Sequence, residues 1–250
     1  MLDVPESAIA KRFFTDTGLE VPAVTAEQMR QVDRIAMAET GPNLFQMMEN
    51  AGRNLALLAL EVLGKGWHTA NVVVLAGGGG NGGGGICAAR HLANRDMRIK
   101  LCLAEPDRLG EVPSLQRKVF QFTSGTEIEA AHVREEPADL ILDALIGYGV
   151  QSAPRGIVAE LIHWANETKA PILALDLPSG VNATTGETPG ACIKPQWTMT
   201  LALPKMGLLP NNSGDLFLAD IGIPAGTYRR MGLRYVAPFG HRFRVPLTYR

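Results

Sequence analysis

The sequence predicts an α/β chain built on a mostly parallel sheet with helices on both faces, and three observations carry that reading. Strand-like and helix-like segments alternate from Asn71 onward, the rhythm of β-α-β units. The strand candidates are unbroken apolar runs such as Val72-Val73-Val74-Leu75, as strands buried on both faces must be. Between that run and a helical stripe (Ile86, Ala89, Leu92) stand eight glycines around Asn81, from Gly77 to Gly85. This is where α/β proteins hold phosphate at a helix N-terminus. Glycines cost chain entropy; the expected return is close approach of amide N–H groups to a ligand's oxygens. A flexible linker would not be clamped between two core-like segments.

The elements follow in order. Thr25-Ala26-Glu27-Gln28 has the form of a capping box. Met29, Val32 and Ile35 then predict an amphipathic helix to about Glu39. Pro42-Asn43 opens a second helix, whose apolar face runs from Leu44 through Met47, Met48, Ala51 and Leu55 to Val62 and stops at Gly64 and Gly66. Strands are expected at 71–76, 98–104, 140–145, 172–175 and 198–203, and helices at 85–95, 114–123 and 156–168. Leu216 to Asp220 reads as a late strand, the candidate for an antiparallel orientation. The chain divides into an N-terminal extension (1–23), a domain (24–225) and a basic tail (226–250). From Ile221 to Arg250 there is no acidic residue, against six arginines (229, 230, 234, 242, 244 and 250). With Pro224, Pro238 and Pro246 and little periodicity, that segment reads as solvated or partner-contacting.

Bulk properties exclude several classes. The 250 residues, 46% hydrophobic and 20% charged, suit one soluble α/β domain with extensions. A formal net charge of -1 argues against a nucleic-acid-binding surface, and no apolar run reaches membrane-spanning length. Residues 1–20 contain Asp3, Glu6 and Asp16 and no apolar core, so no secretory signal is read there, and a cytoplasmic location is expected. Cys87, Cys102 and Cys192 have no zinc-like spacing and read as small buried hydrophobes. The five histidines are scattered without ligand spacing.

Chemistry is expected at the carboxyl ends of the strands, near a switch in strand order. Three ends carry polar or glycine-rich sequence: the loop with Asn81, the segment from Asp143 into Gly147-Tyr148-Gly149, and Asp176-Leu177-Pro178-Ser179-Gly180. Each alone is ordinary cap and turn material; three on one sheet edge point to a site. Asn81, Asp143, Asp176 and Ser179 offer hard oxygen donors, suited to a hard cation rather than zinc or copper. The carboxylates could instead serve as acid or base. Lys205 could reach a phosphate or pack at the sheet edge.

These motifs resemble the YjeF-type N-terminal domain of the NAD(P)H-hydrate epimerases. The matching stretches are Val72 to Gly85, Ala89-Arg90-His91-Leu92, Asp143-Ala144-Leu145-Ile146-Gly147-Tyr148-Gly149, Asp176 to Gly186, Leu203 to Gly207 and Asp220 to Pro224. They run in order from about Val24 to Pro224. The resemblance implies a three-layer Rossmann-like fold with two N-terminal helices, a homodimer, and interconversion of the R and S epimers of NADH or NADPH hydrated at ring carbon 6. A separate NAD(P)H-hydrate dehydratase would complete the repair; neither membrane nor nucleic acid is expected as a partner. It further implies a potassium ion on Asn81, Asp143 and Ser179, and Asp176 at the hydrated ring or its ribose as the catalytic group. The backbone of Gly80-Asn81-Gly82-Gly83-Gly84 and of Gly147-Tyr148-Gly149-Val150-Gln151-Ser152-Ala153 would cradle the phosphates.

Two positions depart from the family pattern: Gly80 replaces an asparagine and Gly84 an aspartate. Loss of that carboxylate from the expected pocket mouth leaves two readings open. One is an active epimerase; the other is a catalytically impaired binding or dimerisation module, as in a related mRNA-decapping enhancer. A nicotinamide dehydrogenase is a third reading. Gly77-x-Gly79-x-x-Gly82 with Glu105 about 23 residues on fits its fingerprint, but a glycine run satisfies that pattern in several registers.

Overall fold

The structure is a computed structural model that describes residues 12–250. Among the described residues ten strands form one sheet, in which β1 (Phe13–Thr15), β2 (Glu20–Val21) and β10 (Arg244–Tyr249) extend a parallel part, in the order β2-β1-β10-β9-β8-β7-β6-β3-β4-β5. The parallel part comprises β3 (Asn71–Ala76), β4 (Arg98–Leu103), β5 (Thr126–Ile128), β6 (Leu140–Ala144), β7 (Ile172–Leu175), β8 (Trp197–Leu201) and β9 (Asp215–Ala219). Side chains alternate across a strand, so each core strand feeds two cores. Val72 and Val74 pack with Ile86, Leu92 and Leu55 on one face. Val73 and Leu75 pack with Leu161, Ile162 and Trp164 on the other. This is the three-layer arrangement, and it explains why the strands read as continuous apolar runs.

The helices are α1 (Ala26–Ile35), α2 (Leu44–Leu63), α3 (Gly80–Ala93), α4 (Glu111–Phe120), α5 (Gly156–Glu167) and α6 (Ala225–Arg230). The Thr25 capping box forms: the Gln28 amide donates to Thr25 Oγ1 at 3.2 Å, and the Thr25 amide to Gln28 Oε1 at 2.8 Å. Asn43 and Gln46 repeat it at the start of α2.

Four expectations are corrected. Helix α3 begins at Gly80 rather than 85, because the glycine run is mostly helix and not loop. Those glycines serve packing: a Cβ on Gly83 would stand 2.4 Å from Met48 Sδ, and one on Gly85 2.4 Å from Ala144 Cβ. Without side chains, α3 seats directly against α2 and the sheet. The late strand β9 runs parallel to β8.

The supposed tail is woven into the fold: β10 (Arg244–Tyr249) pairs antiparallel with β9 and buries Val245 and Leu247. Pro246 hid this strand, since a proline within a run argues against a sheet interior. Its arginines find acids elsewhere: Arg242 grips Asp16 at 2.7 and 2.8 Å, Arg244 pairs with Glu61, and Arg230 with Glu39. The N-terminal extension likewise joins the sheet through β1 (Phe13–Thr15) and β2 (Glu20–Val21), while 1–11 lie outside the described residues.

Candidate active site

Strand order switches at β3, which is flanked by β4 on one side and β6 on the other. Ligands of open α/β sheets bind in the crevice at such a switch, and a cavity of about 730 Å³ opens there. Its sheet side is built from strand ends: Asn81 in the first turn of α3, Gly147 and Tyr148 after β6, and Asp176 after β7. Helices α1 and α2 close the other side with Met29, Asp33, Met47 and Met48.

Asp176 is the centre of the sheet side. Its backbone is left-handed (φ 67°), a conformation aspartate tolerates better than most residues. Lys205, 1% exposed, pairs with Asp176 Oδ1 and donates to the Leu201 carbonyl at 2.8 Å. Neither reading of Lys205 from the sequence named this partner. Asp176 Oδ2 is left facing Gly147: a Cβ there would stand 3.2 Å from it and 3.3 Å from Asn81 Oδ1. With no side chain at 147, the loop backbone lies directly against both the carboxylate and the amide. Both polar atoms of the Asn81 amide are buried without a hydrogen-bond partner among the described residues.

Asp143 and Ser179 form a closed unit behind the cavity wall. Ser179 Oγ donates to Asp143 Oδ1 at 2.6 Å, the Ser179 amide to Oδ2 at 2.8 Å, and the Leu145 amide to Oδ1 at 3.2 Å. Ser179 Oγ also accepts from the Ile146 amide at 2.8 Å, which ties the unit to the loop carrying Gly147. Asp143 is wholly buried, with no salt bridge among the described residues. Burial pushes its carboxyl up to about 6, against the pull of the Ser179 and Leu145 hydrogen bonds.

Of the residues the sequence nominated, Gly80, Asn81, Gly147, Tyr148, Gly149 and Asp176 line the cavity. Gly82, Gly83 and Gly84 are buried inside α3, Val150 is buried, and Gln151 and Ser152 are exposed; none of these, nor Ala153, lines it. Position 84 is not the pocket mouth: a Cβ there would meet Leu175 Cδ2 at 2.9 Å and Ala51 Cβ at 3.7 Å.

Sequence reasoning missed Asp33. Tyr148 donates its phenolic hydroxyl to Asp33 Oδ2, and the Arg30 guanidinium stands 6.0 Å from the Tyr148 ring centroid. Burial raises the Asp33 carboxyl above its ordinary value, while Tyr148 and Lys205 oppose the shift. A signal existed: Asp33 lies four residues after the buried Met29, on the inward side of an amphipathic helix. A second cluster, Glu49, Cys87 and His91, brings its ligand atoms within 4.8 Å of one another. Arg90 Nη2 already lies among them, 2.7 Å from Glu49 Oε1 and 3.4 Å from Cys87 Sγ, and supplies the cation.

A family model described as YjeF-related protein N-terminus matches residues 44–207. The chain is 48% identical over 241 residues to an NAD(P)H-hydrate epimerase of Dehalogenimonas lykanthroporepellens, covering 96% of this chain and 98% of that protein. It is 29% identical to Enhancer of mRNA-decapping protein 3 of Macaca fascicularis, over 98% of this chain but 48% of that protein. The crystal structure of yeast ynu0 superposes with a TM-score of 0.79 at 19% identity, covering 90% of this chain and all of that one, and shows the same fold. With the motifs of its strand ends, its three-layer sheet and a near full-length relative, the chain belongs to the YjeF-type NAD(P)H-hydrate epimerase family.

Proposed function

We propose that this protein interconverts the R and S epimers of hydrated NADH and NADPH. The near full-length likeness to a protein named as that epimerase carries the reading, and the chemistry of the cavity agrees with it. Inverting one ring carbon needs at least one fixed group that exchanges protons with the ring hydroxyl. Asp176 suits this role, with Oδ1 held by Lys205 and Oδ2 open beside Gly147. The first amides of α3, at Gly80 and Asn81, would face the substrate's diphosphate, as helix N-termini do for anions. Met47, Met48, Leu201 and Ile221 add an apolar wall that keeps bulk water from the ring.

The test is chromatographic or NMR assay of R/S exchange with purified protein; a rate equal to that of buffer alone overturns the reading. Gly147→Ala is expected to lower kcat/KM about tenfold by crowding Oδ2, with little change in Tm. Action beside a separate dehydratase, assembly as a homodimer and a cytoplasmic location belong to the same proposal.

A potassium ion fits the donors Asn81 Oδ1, Asp143 and Ser179 Oγ. All are oxygens, the amide lacks a partner, and Asp143 lacks a counter-charge. The ion would supply positive charge and geometric rigidity behind the cavity. Asp143 rises to about 6 in the fold from roughly 3.9 unfolded. Between those values the folded state binds more protons, so stability falls as pH rises through that window. An ion on the ionised carboxylate offsets the loss. Potassium is therefore expected to raise Tm over choline of equal ionic strength at about pH 7.5, and far less at about pH 5, where the proton takes its place. Equal effects at the two pH values would count against these ligands.

A further inference from the structure

Epimerisation at ring carbon 6 makes a demand that one carboxylate cannot meet. That carbon bears the hydroxyl and is bonded to the ring nitrogen. The nitrogen lone pair can form a C=N double bond as the C–O bond breaks, its electron pair leaving with oxygen, which takes a proton from an acid. The result is water and a planar ring cation. Inversion follows when water adds to the opposite face and loses a proton to a base there. Atoms and electrons balance, and the proton given on one face is recovered on the other. An acid–base group is therefore needed on each face of the ring.

The cavity holds a second carboxylate in a suitable place. Asp33 enters from the wall made by α1, whereas Asp176 stands at the sheet side after β7. Gly147 and Tyr148 link them: Gly147 leaves Asp176 Oδ2 open, and the Tyr148 hydroxyl is bonded to Asp33 Oδ2. Asp33 also lies outside the 44–207 segment that the family model matches. We propose that Asp33, oriented by Tyr148, is a second catalytic residue, serving the ring face opposite Asp176. Asp33 is half-buried, and burial raises its carboxyl, which helps it to carry a proton. Asp176 is fixed beside a lysine instead. The inference rests on the epimerase reading above.

The experiment uses R and S hydrates labelled with oxygen-18 at the ring hydroxyl, incubated with the full chain in unlabelled water. Mass spectrometry reads loss of label and chromatography reads inversion. With wild type, both epimers should lose label as they invert. Asp33→Asn should slow inversion about 10²-fold yet still catalyse label loss from one epimer, whose hydroxyl faces Asp176 and can leave and return on that face. Asp176→Asn, assayed on its folded fraction, should spare label loss from the other epimer. Tyr148→Phe keeps the Asp33 carboxylate and should slow the same epimer as Asp33→Asn, by roughly tenfold. This gives a reading even if Asp33→Asn folds poorly.

Inversion by Asp33→Asn within about threefold of wild type would overturn the proposal. So would equal loss of exchange from both epimers in Asp33→Asn, or the same spared epimer in the two Asn variants. A wild type that neither inverts nor exchanges would overturn the epimerase reading itself, a result distinct from these.

Discussion

Asp176→Asn is expected to reduce R/S exchange about 10²- to 10⁴-fold, the range set by removing a positioned acid–base group. The substitution keeps the shape of the side chain, and asparagine tolerates the left-handed backbone at φ 67° as aspartate does. The loss should therefore fall on turnover more than on substrate binding. Stability will also drop, because Lys205 is 1% exposed and would lose the anion it is paired with. The Leu201 carbonyl, 2.8 Å from Lys205 Nζ, remains as a partner. Rates must be normalised to folded protein, for instance by melting each preparation. Wild-type turnover in that variant would remove Asp176 from the mechanism.

Lys205→Met is expected to destabilise the fold by about 3–5 kcal/mol, the usual cost of leaving one partner of a buried ion pair uncompensated. For a chain of this size that is a fall in Tm of roughly 6–20 °C. The double variant Asp176→Asn/Lys205→Met removes both charges. It should recover most of the loss seen in Lys205→Met while remaining inactive, since replacing both members of a buried pair is often near neutral. That combination, stability restored without activity, would separate the structural role of the pair from its chemistry. A double variant no more stable than Lys205→Met would mean that Lys205 acts through its packing alone.

The order of strands and helices could be read along the chain because it is carried by local signals. The capping box at Thr25, the helix start at Pro42-Asn43, apolar runs at 71–76 and 140–145, and the stripe of α2 each act over a few residues. The breaks were equally local in cause. Thr126-Glu127-Ile128 is too short to show a period, and Pro246 masked β10. The glycines after Gly79 were legible as a close approach but not as to what approaches them: helix α2 and Ala144 fill most of that space. Position 84 shows the same limit. The sequence reveals that an aspartate is absent there; the fold shows that Leu175 and Ala51 stand where a side chain would go.

At the site, the chemical types of Asn81, Asp143, Asp176 and Ser179 could be read from their places at strand ends, because topology alone brings such ends to one edge of a parallel sheet. The chain by itself thus determined a doubly covered sheet, the edge where its ligand would bind and the polar groups at that edge. Tertiary structure alone decided that Lys205 neutralises Asp176, that Asp143 and Ser179 close on each other behind the wall, and that Asp33 joins Tyr148 across the cavity. Those pairings connect residues 29, 36 and 115 positions apart. Over such separations no periodicity or cap links the partners, and only the packing of α1 and the strand ends brings their charges together.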